Sequence, residues 1–353
     1  MNKAYLILEN GTIFEGESFG AQLETVGELV FTTAMVGYNE TLTDQSYYGQ
    51  IILQTFPLIG NYGVIPEDFE YKDIKAKGYI VKYPCDSPSN FRSEGSIDEF
   101  LKQRGIVGLC NIDTRMLTRI IRESGSINGK IMLTPPTSKD LKEVKSYRIE
   151  GAIEAVSIKS ATKLSDGKYR VALLDFGAKA SIAQELIARD CSVTAFPYNV
   201  SFEEILEFNP DGIMLTNGPG DPADPTNTII VENLKKLIPK NIPTFGICMG
   251  HQLMALAYGY KTRKLKFGHR SANQAVKEVA TKKVYITSQN HGYEVITDNS
   301  SFINVNDGSC EGIDYNENAF SVQFHPEARG GPLDSKILFD RFLEIIKKNK
   351  KGN

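Results

Sequence analysis

The sequence predicts an α/β protein in two parts: a strand-rich mixed α/β domain first, then a domain built on a parallel sheet covered by helices. Three observations predict this. The chain has 353 residues, more than one ordinary core holds. From Tyr169 onward, apolar strands alternate with amphipathic helices, the rhythm of βαβ units. Before Thr134, short β-rich runs follow one another through turns and few helices interrupt them.

Each element has a local reason. "AYLILENGTIFEG", "ELVFTTAMVGYNETLTD" and "GQIILQTFPLIGNYG" read as strands and turns, and Asn10-Gly11 between two apolar runs is a hairpin signal. In "IDTRMLTRIIRESG", Leu117, Ile120 and Ile121 share a helical face and Gly125 follows as the C-cap. These elements define a first domain over residues 1–134. Residues 135–168 are rich in Pro, Ser, Thr and Lys without a sustained period, which predicts a connector with one short helix. The second domain covers 169–353. It opens with "YRVALLDFG", a near-continuous apolar run and so a fully buried strand. The helix "AKASIAQELIARDC", the strand "SVTAFPYN" and the helix "SFEEILEFNP", ended by Pro210, come next. After them come the strand "DGIMLTNGPG", the helix "TNTIIVENLKKLIPK" and the strand "IPTFGICMG" with its own helix. Near the end, Leu338, Phe342, Ile345 and Ile346 at helical spacing predict an amphipathic closing helix, with lysines at its C-terminal end to suit the dipole.

Composition narrows the function. A net charge of -3 gives no general pull toward nucleic acid or an acidic membrane, so neither is expected as a partner. The five cysteines (Cys85, Cys110, Cys191, Cys248, Cys310) are scattered and never spaced as CxxC, which argues against a disulfide framework and a structural zinc site. The opening "MNKAYLILENGTIFEG" lacks the apolar core of a signal peptide, so a reduced cytoplasm is the expected compartment.

Ligands of parallel sheets bind beyond the carboxyl ends of the strands, and three polar, glycine-dense spots fall there: "NGPGDP", "GICMGHQ" and "FHPEA". "GICMG" is the cysteine counterpart of the G-x-S-x-G nucleophile elbow. A sharp strand-to-helix turn strains the central residue, and glycines at 246 and 250 remove Cβ atoms that would collide across it. The helix N-terminus beside Cys248 favours a thiolate. Taken alone, the motif fits a buried structural cysteine equally well. A nucleophile needs a base. His325 stands where an apolar strand runs into His-Pro-Glu, with Glu327 two residues on and therefore on the same side of extended chain. His251, on the elbow's own helix, His269 and His291 are weaker candidates. The N–H groups of Gly220 and Met249 would form an oxyanion hole.

Those three motifs, in that order, resemble the class I, triad-type glutamine amidotransferases. "TTAMVGYNETLTDQSYYGQIILQTFPLIGNYG", "NIDTRMLTRIIRESG" and "LLDFGAKASI" narrow the resemblance to the small, glutamine-hydrolysing subunits of carbamoyl-phosphate synthases. The resemblance implies Cys248 as nucleophile, His325 as general acid/base and Glu327 as its orienting partner. It also implies a glutamine pocket made by Ser46, Gly218, Gly220, Met249, Gln252, Asn290, Gly292 and Tyr293. It implies no cofactor or metal in this chain, and a large synthetase subunit that uses ATP, divalent metal and bicarbonate to make carbamoyl phosphate for pyrimidine and arginine synthesis. Two departures stand out. "GHRSANQAV" has Ser271, Gln274 and Ala275 where the family has Gly, His and Pro, which puts the geometry of a loop there in doubt, and Gln45 replaces a common proline. Two other readings stay open: the glutaminase component of another amidotransferase, such as anthranilate synthase, and a catalytically silent interaction subunit.

Overall fold

The computed structural model describes residues 2–352. These fall into two compact units: residues 2–149 with 266–271, and residues 150–265 with 272–352. The stretch read as a connector is shared between them, its first part counting with the first unit and its second part with the other.

Among its described residues the first unit holds nine whole strands: β1 (Asn2–Leu8), β2 (Ile13–Gly20), β3 (Thr25–Thr32), β4 (Gln50–Gln54), β5 (Leu58–Ile59), β6 (Gly78–Ile80), β7 (Tyr83–Pro84), β8 (Val107–Cys110) and β9 (Ile127–Met132). Seven of them close into a barrel in the order β1-β2-β8-β6-β4-β3-β9, which removes all but the short β5-β7 edge. Its helices are α1 (Tyr38–Thr43), α2 (Ile97–Gln103), α3 (Thr114–Ser124) and α4 (Ser138–Ser146). Ile51 and Leu53 pack with Leu117 and Ile121 of α3, while Ile52 between them packs with Leu42 and Leu101 of α1 and α2. Alternation along β4 therefore buries both faces, and a strand so covered reads as a continuous apolar run. The Asn10-Gly11 turn joins β1 to β2 with Gly11 at φ 86°, and Gly125 ends α3 at φ 92°.

In the second unit α5 (Ala152–Val156) and β10 (Thr162–Lys163) precede the sheet proper. Then come β11 (Tyr169–Asp175), α6 (Ala180–Ile187), β12 (Cys191–Pro197), α7 (Phe202–Phe208), β13 (Gly212–Leu215), α8 (Thr228–Leu237), β14 (Thr244–Ile247) and α9 (Met249–Ala257). The chain finishes with β15 (Lys261–Glu278), β16 (Val284–Ile296), β17 (Phe302–Asn304), β18 (Cys310–Asn316), β19 (Ala319–Val322) and α10 (Ile337–Gly352). The ten strands run in the order β10-β12-β11-β13-β14-β19-β18-β17-β15-β16.

The five strands from β12 to β19 in that order are parallel, as the βαβ rhythm predicts. Beyond β19 the sheet continues with antiparallel strands, an extension the sequence reading did not describe. Val171 and Leu173 of β11 pack with Ile182 of α6 and with Phe339 and Phe342 of α10. Ala172 and Leu174 pack on the opposite face with Ile205, Ile230 and Leu253 of α7, α8 and α9. The sheet is thus a doubly covered α/β layer. Residues Ser271–Val276, expected in a loop, lie inside β15. Their backbone is held there by bonds such as Val305 N–H to the Ala275 carbonyl at 2.9 Å, because ladder pairing needs no particular side chain.

Candidate active site

The site follows from strand order. β11, β13, β14 and β19 are consecutive parallel neighbours, so the segments leaving their carboxyl ends emerge side by side. Those segments carry Lys179, Asn217 to Gly220, Cys248 and His325 respectively.

At the end of β14, Ile247 still pairs with Val322, and the Cys248 N–H donates one more ladder bond to the Val322 carbonyl at 2.9 Å. The backbone then turns sharply into α9, leaving Cys248 at φ 54°, ψ -102°, a conformation side chains rarely adopt. The flanking glycines are explained by their surroundings. A Cβ on Gly246 would lie 2.9 Å from the Gly250 backbone, and one on Gly250 would lie 2.3 Å from the Leu215 carbonyl oxygen. Gly250 also donates its N–H to the Thr216 carbonyl, tying the elbow to the loop after β13. In that loop a Cβ on Gly218 would sit 2.2 Å from the Phe176 carbonyl oxygen. The N–H groups of Gly220 and Met249 make no hydrogen bond among the described residues, as oxyanion donors must not.

The thiol is not bare at the rim as a strand-end elbow suggests. Cys248 is buried, and its sulfur lies 3.6 Å from the Asn290 carbonyl oxygen of β16. The same strand holds the opposite partner, since the His325 N–H bonds the Ser288 carbonyl at 2.9 Å. His325 Nδ1 donates to Glu327 Oε1 at 2.7 Å, both side chains being buried, so Glu327 fixes the ring and leaves Nε2 without a hydrogen-bond partner among the described residues. Burial and the Lys179 ammonium lower the pKa of the ring. The Glu327 carboxylate and the Cys248 sulfur raise it and prevail, so it ends above the ordinary histidine value. Burial favours neutral Glu327, yet His325 and Lys179 outweigh that and hold its pKa below the usual range. Cysteine, imidazole and carboxylate therefore form one electrostatically connected set.

Lys179 is the residue sequence reasoning missed. Its ammonium reaches within 3.7 Å of Glu327 Oε1 and 3.4 Å of His325 Nδ1. Its backbone N–H donates to Asn217 Oδ1, and Asn217 in turn donates to the Gly177 carbonyl. In the sequence it was visible only as a lone lysine after a buried strand.

The other expected residues are distributed as follows. Gln252, one turn along α9 from Cys248, donates to the Tyr293 carbonyl, while Asn290, Gly292 and Tyr293 lie on β16 beside the thiol's acceptor. Ser46 lies in the first unit, in a short turn capped by the Asp44 carboxylate that accepts its N–H; Gln45 precedes it, also buried. His251 is no rival base. Its Nδ1 pairs with Ser321 Oγ at 2.7 Å, and burial lowers its pKa to about 3.

Comparison with known proteins identifies the family of each part of the chain. Residues 6–131 match the family model described as carbamoyl-phosphate synthase small chain, CPSase domain, and residues 172–345 match glutamine amidotransferase class-I. The chain is 48% identical over 348 residues to the carbamoyl phosphate synthase small chain of Clostridium perfringens, covering 97% of this chain and 99% of that one. It is 47% identical over 366 residues to the protein of that name from Listeria monocytogenes, covering 100% and 99%. With the Fusobacterium nucleatum protein of that name it shares 48% over 364 residues, covering 99% and 100%. The chain belongs to the carbamoyl-phosphate synthase small-chain family and carries that family's class I glutamine amidotransferase domain.

Proposed function

We propose that this chain hydrolyses L-glutamine and delivers the ammonia to a large synthetase subunit that makes carbamoyl phosphate. The observation that carries the proposal is the strained Cys248 in electrostatic contact with a histidine whose other nitrogen is held by a buried carboxylate. Gly218, Gly220, Met249, Gln252, Asn290, Gly292 and Tyr293 bind the substrate. The Cys248 sulfur, having given its proton to His325, attacks the carboxamide carbon, and the oxyanion accepts hydrogen bonds from Gly220 and Met249. The C–N bond breaks as His325 returns the proton to the departing nitrogen, leaving a γ-glutamyl thioester and ammonia. Water loses a proton to the same ring and attacks the thioester, releasing glutamate and restoring the thiol. A ring pKa above the ordinary value suits the acid step, and Glu327 supports the imidazolium.

Ammonia in water is protonated at neutral pH, so the large subunit takes it directly. ATP, bicarbonate and divalent metal are used there, and this chain supplies no cofactor. Among the described residues no helix is long and apolar enough to cross a membrane; the cytoplasm, where these substrates are made, is the proposed compartment. The match over residues 6–131 favours this reading over the anthranilate-type glutaminase.

The test is formation of carbamoyl phosphate from glutamine, ATP and bicarbonate by the assembled complex, beside Cys248→Ser. Wild type should use glutamine or ammonia, and the variant ammonia alone. A wild type no faster with glutamine than the variant would leave the silent-subunit reading standing.

A further inference from the structure

An amide side chain has a donor end and an acceptor end of nearly equal shape, so its surroundings decide which end meets a ligand. Gln252 sits in such surroundings. Its Nε2 donates to the Tyr293 carbonyl at 2.9 Å and to Gln323 Oε1 at 2.9 Å. A backbone carbonyl can only accept, and the Tyr293 carbonyl also takes a bond from His291 Nδ1 at 2.8 Å, which makes it a fixed reference. Both hydrogens of the Gln252 amide are thereby used, and its Oε1 makes no hydrogen bond among the described residues. Gln323 is itself fully buried, two residues before His325, with its N–H held by the Glu311 carbonyl at 2.9 Å. Its own Nε2 has no partner among the described residues, so the side chain is kept at a cost and its one bond is the bond to Gln252.

We infer that Gln323 is a positioning residue for substrate selection: by occupying the second Gln252 hydrogen it holds Gln252 Oε1 out as an acceptor for the α-ammonium of the bound amino acid. The inference rests on the glutamine reading above. In that reading the carboxamide is committed to Cys248, the oxyanion donors and His325, so the ammonium is the donor left for a separate acceptor. Without Gln323, the Gln252 side chain keeps a single bond to Tyr293 and is free to swing its oxygen away.

The test uses the full chain assembled with its large subunit. Glutamine hydrolysis by wild type checks the underlying reading; if wild type fails, that reading falls and not the role of Gln323. Gln323→Leu keeps bulk and removes the acceptor, and it should raise KM for glutamine roughly tenfold with kcat within about twofold, the size of one lost hydrogen bond. Gln323→Glu offers an acceptor oxygen in either protonation state and should stay within about threefold of wild type. Competitive inhibition by glutaramate, which lacks the ammonium, should be equal in all three proteins, and so should alkylation of Cys248 by iodoacetamide. Should Gln323→Leu lower the thermal midpoint, Gln323→Met gives the same reading with a more adaptable side chain. An unchanged KM in the Leu and Met variants overturns the inference. So does a fall in kcat with slowed alkylation, which would mean general damage around His325, and so does a glutaramate penalty equal to that for glutamine.

Discussion

Each unit buries a lysine against carboxylate, three acidic side chains in the first and Glu327 in the second, and the two clusters differ in what they leave unpaired. In the first unit Lys130 of β9 meets Asp140 at 2.8 Å, Glu143 at 2.9 Å and Glu24 at 3.3 Å. It thereby fastens α4 to the barrel. Asn128, two residues earlier, donates to the Val144 and Tyr147 carbonyls at the other end of that helix. In the second unit Lys179 stands beside Glu327 and His325, but among the described residues the ring's Nε2 has no hydrogen-bond acceptor of its own, only the neighbouring Cys248 sulfur to exchange a proton with, and Cys248 sits at φ 54°. The first cluster satisfies its lysine and holds a helix. The second keeps a proton-carrying atom and a strained thiol unspent. Buried charge thus marks chemistry only where something in the cluster remains unsatisfied.

The contrast can be broken experimentally. Its largest expected effect is on turnover: His325→Asn should lower glutamine hydrolysis on the order of 10⁴-fold while ammonia-dependent synthesis by the complex persists. Steady-state assays with the two nitrogen donors check this. Lys130→Met should behave in the opposite sense, leaving kcat unchanged and lowering unfolding free energy by roughly 2 kcal/mol. That is below the usual cost of breaking a buried pair, because Glu24 and Glu143 are well exposed. Denaturant unfolding of both proteins measures it.

The pH dependences should differ as well. Lys130 and Thr137 hold the Asp140 pKa well below the usual carboxylate range, so its contribution is present above pH ~4 and is lost as pH falls below that. Asp140→Asn should flatten that acid loss. In the other cluster the His325 pKa is raised, so the imidazolium contribution is complete below pH ~6.5 and disappears as pH rises through the folded value. Glu327→Gln removes the main raising charge and should move the alkaline limb of kcat/KM toward lower pH. A limb that stays put would mean that another group sets it. The smallest effect belongs to Gly11→Ala. Nothing lies within 4 Å of the new Cβ, so only the strain at φ 86° is felt, about 1 kcal/mol.

Much of this was legible in the sequence. Gly246, Cys248 and Gly250 announce an elbow because a tight turn leaves no room for side chains, and His325 with Glu327 announces a pair because extended chain alternates. Both are local rules. Closure of the barrel and the antiparallel strands beyond β19 depend on pairing between distant segments, such as Leu6 with Ile131, which no short window contains. Lys179 escaped for the same reason: 146 residues separate it from His325, and only the order of the sheet, with β11 and β19 parallel and two strands apart, lets the segments after them meet. The buried state of Cys248 depends on β16, whose Asn290 lies 42 residues further along the chain, beyond the reach of a local elbow rule.

The twisted backbone at Cys248 carries a further consequence. A glycine there would relax the elbow at once and abolish the reaction, so durability and turnover pull against each other at a single peptide unit. Selection for heat tolerance without selection for nitrogen transfer would be expected to erode this position first.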